Sequence, residues 1–263
     1  MKLPALILAL ISAGGVALHA QTPVITPGGV ANAAGTASST AIAPGSLVSI
    51  YGSNLAGALT QAGSIPLSTT LSSTSVTFNN IPAPLLFVVG SQINAQVPWE
   101  VTGTTAQVVV TNGGTKSAPV SATLAPAVPA IFAYNDSMAI AYGNSDQAFA
   151  WPTGAVAGAT SHPAKIGDPT TLVILATGLG PVTPAVPTGG LPPTGASPTT
   201  GTPNVTIGGV PAQVVFCGMI NFAVGVYQIN VVIQPGTPTG NAIPVQITMN
   251  GITSNSPTIA VSN

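Results

Sequence analysis

Apolar and polar residues alternate over short runs along most of the chain, and two of these runs are nearly alike. "SQINAQVPW" (91–99) returns as "VYQINVVIQ" (226–234), each time with Gln-Ile-Asn leading into the alternating stretch. Alternation of Val, Ile, Thr and Phe with polar or small residues is the pattern of a half-buried β-strand. The echo extends well beyond three residues. "SLVSIYGSNLAG" (46–57) matches "TLVILATGLGPV" (171–182), and "SVTFNNIPAPLLFV" (75–88) matches "NVTIGGVPAQVVFC" (204–217). "AQVVVTNGGTKSAPVSATL" (106–124) matches "VQITMNGITSNSPTIAV" (245–261). Four segments recur in the same order, so the chain carries an internal duplication, with insertions falling between the matched segments where loops tolerate them.

Turn chemistry divides the runs. Asn-Gly between two alternating runs is a strong hairpin signal, so Asn112-Gly113 and Asn250-Gly251 are expected to be turns with positive φ. "NNIPAP" and "GGVPAQ" set turn residues before a further strand. Each half thus reads as an immunoglobulin-like sandwich of short strands. The fold class is all-β: two tandem immunoglobulin-like β-sandwiches joined by a connector that contains a hairpin. The expected division is a signal peptide at 1–20, a first sandwich at 21–125, a connector at 126–165 and a second sandwich at 166–263. Residues 125–168 show no copy in the other half. They are expected to hold a hairpin around Asn135-Asp136, with "AIFAY" and "MAIAY" as its strands. Residues 181–203, rich in Pro, Thr and Gly, read as an exposed loop.

Composition narrows the class further. The chain has 263 residues, 46% hydrophobic and 3% charged, with 30 Gly and 26 Pro. Gly and Pro at that density leave no room for long helices. Disorder goes with low hydrophobicity and high charge, the reverse of this composition. A net charge of −1 and only three Lys and Arg residues offer no basic footprint for nucleic acid.

"MKLPALILALISAGGVALHA" sets Lys2 before an apolar stretch and ends on the small residue Ala20, the order of a secretory signal peptide. The run is short for a membrane span, and the mature chain has no second one. A secreted, extracellular or cell-surface location follows. The single cysteine, Cys217, can form no internal disulfide. It lies in an apolar run and reads as a buried small hydrophobe, with an intermolecular disulfide or a reactive thiol as the alternatives.

Catalytic chemistry is sparse. His162 is the only histidine left after removal of the leader, and it reads as a surface-loop residue; no G-x-S-x-G elbow presents a serine to it. A carboxylate pair would have to come from Glu100, Asp136, Asp146 and Asp168, and no motif singles one out. No Cys/His cluster or calcium-loop spacing is present, so neither metal nor cofactor is expected and the chain does not read as an enzyme. Aromatic residues concentrate in the connector. Trp99, Phe132, Tyr134, Tyr142 and Trp151 are candidates either for covering a seam between domains or for a ligand platform. Asn135 and Asn204 head N-x-Ser/Thr sequons and are candidate glycosylation sites.

"APGSLVSIYGSNLAG", "PAPLLFVVGSQINAQVPWEV", "PAIFAY", "ATGLGPVTP", "VTIGGVPAQVVF" and "YQINVVI" together resemble a secreted acidobacterial C-terminal domain family of unknown function. That family is related to IPT/TIG immunoglobulin-like domains, and the likeness covers most of 24–263. The resemblance implies IPT/TIG-like sandwiches and supplies no catalytic residue. It begins directly behind the leader, with no other domain before it. The function expected is a non-catalytic extracellular structural or interaction protein that can self-assemble at the cell surface or in a filament. The alternative is a carbohydrate-binding or adhesion module. Partners are further copies of the chain, another extracellular protein or a polysaccharide. "TPVITPGGV" could be donated as a strand to a neighbouring copy.

Overall fold

The structure, a computed structural model, describes residues 21–35 and 40–263. The expected signal peptide lies outside the described residues. No helix occurs among those described, and none is therefore long and apolar enough to cross a membrane.

The first sandwich holds β1 (Val24–Asn32), β2 (Leu47–Ser53), β3 (Thr60–Gln61), β4 (Thr70–Leu71), β5 (Thr74–Phe78), β6 (Ile81–Pro82), β7 (Leu85–Val89), β8 (Gln92–Gln96), β9 (Thr105–Asn112), β10 (Thr115–Lys116) and β11 (Val120–Thr123). The segment that follows holds β12 (Ala130–Ile131), β13 (Ala133–Tyr134), β14 (Met138–Ala139), β15 (Ala141–Gly143) and β16 (Ala164–Lys165). The second sandwich holds β17 (Leu172–Thr177), β18 (Ala196–Pro198), β19 (Asn204–Ile207), β20 (Val210–Ile220), β21 (Tyr227–Val232), β22 (Gly240–Met249), β23 (Ile252–Thr253) and β24 (Thr258–Ser262).

In the first sandwich one sheet runs β1-β2-β8-β7-β3 and the facing sheet runs β10-β9-β5-β4, with β11 on β9 and β6 on β5. Ile50, Val88 and Ile93 from the first sheet share a core with Val76, Phe78, Val108 and Val110 from the second, all fully buried. The duplicate repeats this plan as β17-β21-β20 against β19-β22-β24. Here the long β20 replaces the separate β6 and β7. It pairs first with β19 and then with β21, and the register shifts between Val214 and Phe216, a bulge that lets one strand serve both layers.

The repeated Gln-Ile-Asn has one physical role in both copies. Ile93 stands opposite Ile50, and Ile229 opposite Ile174, each fully buried at the sheet centre. The flanking residues point to the other face, where Gln92 Nε2 donates to Asn94 Oδ1 at 2.8 Å and Gln228 Nε2 to Asn230 Oδ1 at 2.7 Å. A period of two places the isoleucine inward and lets its polar neighbours satisfy each other. The hairpins carry a second repeated device. The Val110 amide donates to Ser117 Oγ and the Ile247 amide to Ser254 Oγ, both at 3.0 Å.

Three expectations are corrected by the fold. Asn112 is not a turn residue: it pairs with Thr115 in the ladder, and the two-residue loop is Gly113-Gly114, at φ 55° and 86°. Both central residues of such a turn need positive φ, which glycine meets without strain. The second copy follows the expectation, with Asn250-Gly251 at 50° and 80°. Secondly, 125–168 does have a counterpart. β12 lies on β17 as β1 lies on β2, and a Cβ on Gly178 would stand 2.1 Å from the Val128 carbonyl just as one on Gly52 would stand 2.0 Å from the Val24 carbonyl. Sequence comparison missed it because the copies share a backbone approach and not side chains. Thirdly, 181–203 is not wholly an exposed loop, since Val182, Val186, Gly189 and Gly190 are buried and β18 pairs with β20.

The expected hairpin is present, with β13 and β14 antiparallel around Asn135-Asp136. Its neighbours attach to the second sandwich: β15 joins β17, and β14 and β16 run parallel to β24. β1 is bonded to β2 of its own sandwich.

Buried hydrogen bonds join the two sandwiches. Thr177 Oγ1 on β17 accepts from the Leu47 amide of β2 at 3.0 Å and donates to the Gly225 carbonyl at 2.7 Å. Gln96, at the end of β8, accepts from the Gly189 amide at 2.7 Å and donates to the Gly45 carbonyl at 3.2 Å. Thr188 Oγ1 accepts from the Trp99 amide and donates to Glu100. The Thr177 and Gln96 side chains are withdrawn from water with partners in place, as buried polar groups require.

Candidate functional site

The described residues form an open cleft of about 440 Å³ at one end of the second sandwich, where β15, β16, β17, β21 and β24 converge. Its floor is apolar, made by Ala148, Ala150, Leu172, Val231 and Ile233. Its rim carries Ser145, Asp146, His162, Lys165 and Asp168. A chain that is 3% charged therefore gathers two of its four carboxylates and one of its three cations around one hollow.

Local backbone chemistry builds the rim. After β15 the chain turns back: the Gln147 amide donates to the Gly143 carbonyl and the Gly143 amide to the Ala148 carbonyl, both at 2.9 Å. Gln147 takes φ 59° to close this turn, and its side chain donates to the Asn144 carbonyl. The turn brings Asp146 over Gly143, where an added Cβ would lie 2.4 Å from Asp146 Oδ1, so the carboxylate seat depends on that glycine. His162 is held from the opposite strand by its own amide, which donates to the Phe149 carbonyl at 3.1 Å. On the far wall Asp168 Oδ1 accepts from the Thr170 amide at 2.8 Å and the Thr170 hydroxyl at 2.7 Å. Thr171 follows at φ 66°. A β-branched residue adopts that conformation only under strain.

His162 Nε2 lies 2.7 Å from Asp146 Oδ2, and Nδ1 lies 3.0 Å from the Pro163 carbonyl. A carbonyl and a carboxylate can only accept, so the arrangement is complete when both ring nitrogens carry protons, and it favours the imidazolium. The Pro163 carbonyl and then Asp146 hold the imidazole above its usual pKa. The Ala148 amide, and then His162, hold Asp146 below the ordinary carboxylate range. The Thr170 hydroxyl and amide lower Asp168 in the same way. While protonated the ring has no lone pair with which to take a proton from a serine, and Ser145 Oγ donates elsewhere, to Thr170 Oγ1 at 3.3 Å. The arrangement is unsuited to nucleophilic catalysis by a serine. No three His, Cys, Asp or Glu side chains among the described residues are placed to hold a metal ion.

The aromatic candidates lie elsewhere. Tyr134, Trp151, Phe149 and Tyr142 form a ladder. Phe149 stacks on Trp151 at 4.1 Å, Tyr134 tilts against Trp151 at 5.6 Å and Tyr142 meets Phe149 edge-on at 6.4 Å. Trp151 is 3% exposed and donates its indole N–H to the Ala139 carbonyl, while Tyr134 is 40% exposed. Phe132 and Asp136 line a smaller hollow of about 210 Å³ beside Tyr51. Trp99 packs on the core of the second sandwich and over Gly45, where a Cβ would stand 2.2 Å from the ring. Asn135 is exposed at the hairpin tip and Asn204 is exposed at the start of β19. None of these lines the charged cleft. Sequence reading passed over the cluster because Asp146, His162, Lys165 and Asp168 match no motif. The available signal was their density in one short stretch of a sparsely charged chain.

The Cys217 thiol is buried, and burial pushes it up to about 11. Tyr227 is buried as well, donates to the Gly180 carbonyl and is strongly raised by desolvation.

A search of curated proteins finds no match. Among solved structures the chain is similar to SGBP-B of the Bacteroides ovatus mixed-linkage glucan utilization locus, in complex with mixed-linkage heptasaccharide. The identity is 12% and the TM-score 0.35, over 92% of this chain and 47% of that one. It is also similar to SGBP-B from a Bacteroides uniformis xyloglucan utilization locus, at 16% identity and TM-score 0.24, over 91% and 49% of the two chains. The chain thus spans about half the length of both. Domains 5-6 of the S-layer protein SbsC match at 12% identity and TM-score 0.26, over 92% and 99%. Scores this low carry no functional inference. Residues 35–124, most of the first sandwich, match the IPT/TIG domain model, and with the duplicated strand order this gives the chain its immunoglobulin-like relationship.

Proposed function

We propose that this chain is a non-catalytic extracellular interaction protein, in which two sandwiches are held as one unit that presents a cleft to a partner. The observation that carries the reading is the state of His162. The one imidazole among the described residues has both ring nitrogens within hydrogen-bond distance of fixed acceptors, which supports a cluster that holds a shape over one that relays a proton. The first twenty residues supply the extracellular part, and the quoted motifs support the finer relationship to the secreted acidobacterial family. Further copies of the chain fit as partners because edge strands with so little charge lack the usual guard against edge pairing. Donation of the N-terminal strand finds no support, since β1 already pairs at home.

The test is to pass the mature protein over immobilised cell-wall and plant polysaccharides, to size it by light scattering, and to assay the same samples for ester and glycoside cleavage. Retention or defined oligomers without product supports the reading. Turnover that disappears in His162→Gln overturns it.

A further inference from the structure

We propose that the cleft framed by Ser145, Asp146, His162, Lys165 and Asp168 binds a neutral saccharide, one or two sugar units of a longer glycan. The inference rests on the interaction reading above and names its ligand class and its site.

Size and rigidity come first. About 440 Å³ lies within the roughly 300–1,000 Å³ usual for small-ligand clefts. The walls are the ends of five strands and two hydrogen-bonded turns, so the site is set before a ligand arrives. Charge comes next. With His162 protonated, the rim sets two cations, His162 and Lys165, against two carboxylates, Asp146 and Asp168. Such a balance offers no net attraction to an anion or a cation and no penalty for a neutral guest.

Capacity for hydrogen bonds points the same way. Asp146 Oδ1 and Oδ2 each hold one internal donor, whereas both donors on Asp168 fall on Oδ1. A carboxylate has about four lone-pair sites, so acceptor positions remain for hydroxyl donors. The Lys165 ammonium makes no side-chain hydrogen bond among the described residues and can donate to a guest. Vicinal hydroxyls, each both donor and acceptor, match this set. The floor of Ala148, Ala150 and Leu172 gives the C–H face of a sugar ring an apolar surface.

The test titrates cellotetraose, xylotetraose and mannotetraose into the isotope-labelled mature chain, with tetragalacturonate as the anionic comparison, and follows backbone amide signals. At least one neutral probe is expected to shift Gly143, Ala148, Lys165 and Leu172. Ser145→Trp, which fills the mouth, and Asp168→Asn, which weakens an acceptor, are each expected to lower affinity by about tenfold or more. Their melting curves check that both variants fold, and Tyr134→Ala on the aromatic ladder is expected to bind as wild type. No shift at the cleft with any neutral probe up to about 10 mM overturns the proposal. So does stronger binding of tetragalacturonate, or unchanged affinity in both folded cleft variants. These outcomes leave the non-catalytic reading standing, whereas cleavage of a probe overturns that reading itself.

Discussion

Thr177→Val is the sharpest test of how the two sandwiches are joined. Thr177 is fully buried, and its hydroxyl is the partner of two main-chain groups, the Leu47 amide of the first sandwich and the Gly225 carbonyl of the second. Valine keeps the shape and removes the oxygen, so the amide and the carbonyl stay dry and lose their partner. A buried polar group left unsatisfied costs about 1–3 kcal/mol, so the pair amounts to about 2–6 kcal/mol. For a unit of this size each kcal/mol moves Tm by about 2–4 °C, which makes the expected drop roughly 4–24 °C. Thr177→Ser keeps both bonds and loses one buried methyl, worth about 1 kcal/mol. Calorimetry on the three proteins, with hydrogen exchange at the Leu47 amide as the local readout, separates the two losses. If the Val and Ser variants melt within about one degree of each other, the bridging bonds do not hold the seam and the reasoning fails.

The remaining predictions address the cleft, the thiol, a turn and the aromatic ladder. His162 gains stability from its partners while protonated, fully below its unfolded pKa of about 6.5 and lost as pH rises through the raised folded value; Asp146 gains above about 3.9 and loses as pH falls through its lowered one. The pair is therefore complete between about pH 4 and 6.5, and because both side chains are 47% exposed it is worth at most about 1 kcal/mol; an NMR titration of the imidazole at or below 6.5 would contradict the pairing. With Cys217 near 11, only about 0.1% is thiolate at pH 8, so a disulfide reagent should react at that site only after unfolding, and rapid native labelling would refute its burial. Gly114→Ala places a side chain at φ 86° and is expected to cost about 1 kcal/mol or more in urea denaturation; an unchanged midpoint would mean that the Gly113-Gly114 turn is wrong. Trp151→Ala should cost about 3–5 kcal/mol whereas Tyr134→Ala falls near 0.5 kcal/mol, and equal small losses would show that the ladder is not a packing element.

Period-two alternation, the repeated Gln-Ile-Asn and the Asn-Gly and Gly-Gly turns were enough to establish an all-β duplicated chain, because strand and turn chemistry act between near neighbours. The Asn135-Asp136 hairpin was located from the sequence alone, and the alternation around Gln-Ile-Asn is realised with Ile93 and Ile229 buried. The Asn112 turn came out one residue off because Asn-Gly and Gly-Gly overlap there, and only pairing with Thr115 decides which two residues leave the ladder. What lay beyond local reach was anything made by groups distant in sequence. The copy of β1 in β12 is defined by a backbone approaching Gly178, which leaves no side-chain trace. The seam needs Gln96 to meet Gly189 and Thr177 to meet Leu47. Asp146 and His162 looked like two stray polar residues, and only the turn over Gly143 and the bridge from Ser161 to Phe149 bring them within 2.7 Å and make them a site. Sequence determined the strands and the repeat; the tertiary structure alone decided which polar groups are spent inside and which face a ligand, since that depends on long-range pairings that no short pattern encodes.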